Sequence, residues 1–187
     1  MRLFFSILMF VSFYAGAVQA QSIAEDVERA INLSGQQDPS DSIAAMRNAT
    51  AELWLTNQLG FSQALFVTDA VNIYGGFDPR GSNVFAEAEL IKVYAEPIGY
   101  GWRLQNGIYA TDLTVNAAVL TDSDEVLWSQ DEFGKFDLSS RHRFMEYMLN
   151  LELDITGLPK GHYQLRYTVL DAVRDTSAEL NLPFSVE

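Results

Sequence analysis

The polar residues most able to do chemistry in this chain form a short cluster, Arg141-His142-Arg143-Phe144-Met145-Glu146. Two guanidiniums two residues apart stand on the same side of a strand, where they can grip a carboxylate or phosphate in the forked geometry that arginine favours. Phe144 and the neighbouring Phe133 and Phe136 would give that grip apolar surroundings. The set Arg141, Arg143, Phe144 and Glu146 is therefore the candidate binding site. The simpler reading is internal: in an acidic chain the arginines pair with Asp131, Glu132 or Glu146. The intervening stretch from Gln130 to Ser140 has no strong periodicity and reads as a mobile loop.

Other chemistry is thinly represented. The histidines are His142 and His162, and there is no cysteine, so zinc would need both histidines together with carboxylates from separate strands. Asp122, Asp124 and Glu125 present oxygens suited to calcium, but they lack the glycine and distal glutamate of an EF-hand loop and read as a solvated hairpin tip. There is no Gly-x-Ser-x-Gly elbow and no glycine loop that would cradle phosphate. No cofactor and no metal are expected, and no catalytic residue is assigned.

These side chains have to be positioned by strands. From Ala64 onward apolar residues alternate with polar ones: Leu65, Val67, Val71 and Ile73; Ile91, Val93 and Ala95; Leu113, Val115, Ala117 and Val119. The longest series runs Met145, Tyr147, Leu149, Leu151, Leu153, Ile155, followed by Tyr163 to Val169 and Ala178 to Val186. One apolar face per strand favours antiparallel pairing with one side buried. Turns fall at Phe77–Asn83, Thr121–Glu125 and Leu158–Gly161. Pro183 cannot donate a ladder hydrogen bond, so the last strand should lie at an edge there. About seven strands at this spacing predict a two-sheet sandwich.

Residues 22–60 read as helix. Ile23, Val27, Ala30 and Ile31 share one face, and Gly35 stops the first segment. Asp38 as cap, Pro39 and Asp41 start the second. Its stripe of Ile43, Met46, Ala49 and Leu53, with Trp54 beside it, is expected to pack on the protein's own sheet, the alternative being a partner's groove.

The chain opens with Met1-Arg2, a short apolar run from Leu3 to Val18, and Val18-Gln19-Ala20, the pattern of a cleavable secretory leader. The rival reading, a membrane anchor, needs about 20 apolar residues. Cleavage before Gln21 leaves 11 Lys and Arg against 25 Asp and Glu. Such a surface repels nucleic acid and anionic membranes, and a cationic partner is the sharper alternative to plain solubility. Without cysteine, folding in an oxidising compartment rests on the core alone.

Two resemblances add to this. Leu158-Pro159-Lys160-Gly161-His162-Tyr163-Gln164-Leu165-Arg166-Tyr167 resembles the turn and strand late in immunoglobulin-like and fibronectin-like bacterial domains, where a tyrosine corner sets its ring in the core and its hydroxyl on nearby backbone. Over residues 50–187, phrases such as Ala64-Leu65-Phe66-Val67, Tyr74-Gly75-Gly76-Phe77, Val84-Phe85, Tyr94-Ala95-Glu96-Pro97 and Arg141–Glu146 are similar to a family of uncharacterised exported bacterial proteins. Those pair a helical N-terminal segment with an immunoglobulin-like β region. That resemblance implies an envelope location and brings no catalytic residues. Many members have a Gly-Lys turn before the last strand, where this chain has Arg174-Asp175-Thr176-Ser177.

The sequence therefore predicts a signal peptide at 1–20, a helical segment at 21–62 and a β-domain at 63–187. The fold class is mainly β, an antiparallel immunoglobulin-like β-sandwich preceded by one or two α-helices. The expected function is a non-catalytic periplasmic or secreted envelope module that binds another protein or a small ligand. The alternative is a hydrolase acting on cell-wall or polysaccharide material. No nucleic acid, and no membrane span after cleavage, is expected. Mass spectrometry of the exported protein should find Gln21 at its N-terminus; a mature form retaining Met1 would contradict the leader reading.

Overall fold

The structure is a computed structural model. It describes residues 5–35 and 39–187, with side chains from residue 20 onward. Met1 and Arg2 of the leader, and the expected cap Asp38, lie outside the described residues. The chain divides into two compact units at Asn57/Gln58.

The first unit holds two helices, α1 (Phe5–Gly35) and α2 (Pro39–Thr56). α1 is continuous through Ala20–Gln21. Pro39 opens α2 and Asp41 lies in its first turn, where a fixed φ and a negative charge suit the free N–H groups of a helix start. Ser22 Oγ donates to Glu52 Oε2 (2.6 Å) and Ser42 Oγ to the Ala30 carbonyl (2.8 Å), tying the helices together. The buried side chains are Ala30, Ala45, Ala49 and Ala51, whereas Ile31, Ile43, Met46 and Leu53 are exposed. The expected apolar stripe is thus not the buried face, apart from Ala49. Bulk marked the stripe, but alanine is what lets two helix backbones come close. Among the described residues no helix is long and apolar enough to cross a membrane.

The second unit is the predicted β-sandwich. One sheet has three strands in the order β1 (Gly60–Phe66), β3 (Leu90–Ile98), β9 (Leu149–Asp154). The other has five, in the order β2 (Val84–Phe85), β11 (Thr176–Val186), β10 (Gly161–Asp171), β6 (Leu113–Thr121), β7 (Val126–Phe136). Every pairing is antiparallel except the short β11–β2 contact, where Ser185 and Val186 meet Val84 and Phe85. A small third sheet joins β4 (Arg103–Gln105), β5 (Ile108–Ala110) and β8 (Ser139–Ser140). The two main sheets thus hold three and five strands, the two-layered arrangement of an immunoglobulin-like sandwich.

Alternation decides the core. Ile91, Val93 and Ala95 of β3 pair with Leu153, Leu151 and Leu149 of β9, and all six are buried. Opposite them lie Val115, Ala117 and Val119 of β6 and Leu165, Tyr167 and Val169 of β10, also buried. Tyr163 opens β10 as the predicted corner. Its ring packs 5.5 Å from Phe184 and its hydroxyl donates to the Pro159 carbonyl at 2.7 Å. Gly161 fits this corner because an added Cβ would stand 3.2 Å from that hydroxyl. Pro183 lies on an open stretch of β11, where its carbonyl accepts from the Asn83 side chain (3.1 Å).

Three expectations are corrected. Val71 and Ile73 are outside any strand, because the chain leaves β1 after Phe66 and folds back, Val67 bridging Pro79. The strand expected from Met145 begins only at Leu149; the preceding residues are held by side-chain contacts instead of a ladder. Gln130–Ser140 is largely strand, taken up by β7 and β8. Its irregular pattern reflects a bulge: β7 slips against β6 between Val115 and Ala117, and Glu132 takes φ 50°.

Leu151 is 2% exposed and Glu152 points the other way, to solvent. Leu151→Ala should cost about 2–5 kcal/mol by opening a cavity, and Glu152→Ala under about 1 kcal/mol. Tyr163→Phe should cost about 1 kcal/mol, the usual worth of one such hydrogen bond. Urea melts check all three; equal costs at 151 and 152 would contradict the strand register.

Candidate functional site

The predicted cluster does not assemble as a strand face. Arg141 and His142 form a bend, and Arg143 to Met148 follow as irregular backbone. Arg141 and Glu146 are exposed. Arg143 lies over the Tyr109 ring, 5.9 Å from its centre. Phe144 belongs to a different setting, packed on Tyr100 and Tyr147 at 6.2 and 5.9 Å. Its carbonyl accepts from both the Tyr100 hydroxyl and the Trp102 indole N–H, each at 3.0 Å. Burial pushes Tyr147 up to about 12, so its hydroxyl is protonated at neutral pH. Phe133 lies elsewhere again, between Trp128 (6.2 Å) and Tyr167 (5.7 Å). The aromatics that were to surround one anion site thus serve two separate parts of the packing.

The hairpin tip Thr121–Glu125 is organised from within. Thr121 N–H donates to the Glu125 carbonyl (2.9 Å), and Thr121 Oγ1 accepts from the N–H groups of Ser123 and Glu125. Asp124 takes φ 61° and pairs with Arg166 at 3.3 Å. Nδ1 of His162 meets Ser185 Oγ at 2.8 Å. Among the described residues no group of three or more His, Cys, Asp or Glu side chains is placed to hold a metal ion.

Two buried carboxylates escaped the sequence reading. Glu96 is 6% exposed on the outer face of β3. It accepts from the Tyr94 hydroxyl (2.7 Å) and from Ser62 Oγ (2.8 Å), and Tyr94 in turn accepts from Gly75 N–H (2.8 Å). Burial pushes Tyr94 up to about 12, keeping it a donor. This chain of bonds fastens the segment after β1 over the sheet. Asp171 is 1% exposed at the end of β10. Its carboxylate accepts from the backbone N–H groups of Gly101 (2.7 Å), Val173 (2.9 Å) and Arg174 (3.3 Å). Arg174 also donates to the Gly99 carbonyl. A Cβ at Gly101 would stand 2.6 Å from Arg174 Cγ, so only glycine fits. The turn that departs from the resembled family's Gly-Lys pattern is therefore a structural clamp. The sequence signal was an acid within the apolar strand β3 for Glu96 and an acid closing the alternating strand β10 for Asp171.

The remaining feature is an edge. β7 has β6 as its only strand partner among the described strands, so along its other side backbone N–H and C=O groups are unpaired. Val126, Leu127 and Trp128 on this edge are 55%, 47% and 38% exposed. A groove of about 280 Å³ runs beside them, lined by Leu127, Trp128, Leu153, Asp154, Ile155 and Leu158. It lies between β7 and the end of β9, the corresponding edge strand of the three-stranded sheet. Hydrogen bonds from the Thr156 side chain and N–H hold Asp154 below the usual carboxylate range, so it is ionised at neutral pH. At the other end of this stretch a depression of about 550 Å³ gathers Asp131, Glu132, Asp175 and Asn116. This edge offers backbone hydrogen bonds, apolar side chains and negative charge together.

No protein-family model matches the sequence, and no curated protein matches it. Among solved structures, the fold is similar to the alkylpurine DNA glycosylase AlkC of Pseudomonas fluorescens, at TM-score 0.37 and 10% identity over 76% of this chain. It is also similar to the CARDB domain of the PF1109 protein of Pyrococcus furiosus, at TM-score 0.33 and 13% identity over 70% of this chain and 93% of that one. The chain covers about a third, 34%, of the glycosylase's length.

The clamp and the edge respond differently to mutation. Asp171→Ala should cost about 3 kcal/mol or more, because it orphans buried N–H donors. Asp131→Ala, on the exposed edge, should change stability by no more than about 0.5 kcal/mol. Thermal melts compare them; a small loss at Asp171 would contradict the structural assignment.

Proposed function

We propose that the protein is an exported, non-catalytic module of the cell envelope that binds another protein. The observation that carries this reading is the exposed Val126-Leu127-Trp128 edge of β7. Three consecutive large apolar residues on a strand with one open edge are what a folded protein normally hides or blunts. Aromatic residues of this type, half-buried and flanked by an apolar groove, anchor protein interfaces. The leader pattern at residues 1–20 supports export, and the acidic composition supports solubility outside the cytoplasm. The grooves beside β7 are open to solvent, which suits a protein surface better than an enclosed small ligand. Arg141 remains available as an exposed cation at a separate place and is the second candidate contact.

A photo-crosslinking residue placed at Leu127 should yield a discrete adduct in intact cells, and one at Glu152 should not. Trp128→Ala should reduce that adduct at least about fivefold, the scale of a lost aromatic anchor, while lowering stability by only about 1–2 kcal/mol. Adducts of equal yield from both positions, or an adduct indifferent to Trp128, would contradict the proposal.

A further inference from the structure

The open edge carries more information than its apolarity. β7 slips against β6 twice, once at Leu127 and once near Glu132, which takes φ 50° and has its N–H satisfied by Asn116 Oδ1 at 2.9 Å. Val126 to Gln130 is the stretch between the hairpin tip and the second bulge, and within it Trp128 to Gln130 keep regular register with β6. Five residues in a strand span about 17 Å. Both ends of that stretch are acidic. At the hairpin end stand Asp122, Asp124 and Glu125; at the bulge end stand Asp131 and Glu132, with Asp175 beside them. Asp154 adds a carboxylate in the groove. The nearby cations are few: Arg166 meets Asp124 at 3.3 Å and Glu179 at 3.9 Å, and Lys135 meets Glu132 at 3.2 Å. Asp122, Glu125 and Asp131 have no ion-pair partner among the described residues.

Resting on the protein-binding reading of this edge, we propose that β7 accepts a short extended segment of a partner protein as an added strand, and that this segment bears lysine or arginine on both sides of an apolar-alternating core of about five residues. Strand addition supplies backbone hydrogen bonds, and side chains pointing to alternate faces choose the partner. Here alternate apolar side chains of the guest enter the groove beside Trp128 and Leu127. Its flanking cations meet the carboxylates at either end, which gives register as well as attraction. A second copy of this chain is disfavoured by the same charges. Antiparallel pairing of β7 with itself would set Asp122, Asp124 and Glu125 of one copy against Asp131 and Glu132 of the other.

Calorimetric titration of the protein with synthetic peptides tests this. The core is Val-Thr-Val-Thr-Val, flanked at both ends by two lysines, two serines or two glutamates. The expected order is lysine over serine by at least about fivefold at low salt, with no detectable binding of the glutamate peptide. The gap should close at about 0.5 M salt, where screening is strong. N-methylation of alternate core amides in the lysine peptide, tried in both alternate sets, should abolish binding in one set. Equal binding of lysine and serine peptides would overturn the charge assignment and leave the docking edge standing. Binding of none, or undiminished binding of both N-methylated peptides, would overturn strand addition itself. Neutralising the edge by D122N, E125Q and D131N should weaken the lysine peptide and spare the serine one. If that variant instead self-associates with unchanged peptide affinity, the carboxylates serve only to keep copies apart, and the proposal fails.

Discussion

A three-stranded sheet packed on a five-stranded one cannot cover it, and most of what distinguishes this protein follows from that mismatch. β3, β6, β9 and β10 bury their alternating faces on each other. β7, outermost in the wider sheet, has a single neighbour among the described strands. Its apolar residues are therefore left between core and solvent. Natural sandwiches blunt such edges with bulges, charges or cover. This chain uses two bulges, one at Leu127 and one near Glu132, and sets carboxylates at both ends of the stretch, yet leaves Val126, Leu127 and Trp128 exposed.

The rest of the β unit is fastened where a mobile surface would interfere with such an edge. Asp171 gathers three backbone N–H groups at one end of β10, and Tyr163 closes the other end through Pro159. The Phe144 carbonyl, bonded by Tyr100 and Trp102, holds the segment that leads into β9. Each is a buried polar group satisfied by neighbours, which fixes one arrangement because the alternatives leave a donor or acceptor unpaired. The edge strand is thus presented on a preorganised frame, which lowers the ordering cost of binding.

Much of the fold was legible because period-two alternation is a direct trace of one-sided burial. The Leu149–Leu153 and Tyr163–Val169 series followed from it, whereas the Thr121–Glu125 hairpin followed from its turn residues and the Tyr163 corner from the resemblance to immunoglobulin-like and fibronectin-like domains. The helix stripe of Ile43, Met46 and Leu53 misled, because apolar bulk does not reveal which side a helix pair closes on. The candidate site was hardest to see. Arg141 and Arg143 stood out by charge, but a continuation of the alternation through Met145 and Tyr147 placed them on a strand that does not extend so far. Nothing in the run Val126-Leu127-Trp128 marks an edge. Only the strand order, a product of pairings distant in sequence, shows that they lie at an edge.

Amide hydrogen exchange of the protein, alone and with the lysine-flanked peptide, tests the central claim most directly. Unpaired edge amides exchange fast and become protected when a strand is added. The account predicts new protection confined to alternate amides within residues 126–130, with those of β6 and β10 unchanged. Protection centred on residues 141–146, or none on β7 in the presence of bound peptide, would contradict it.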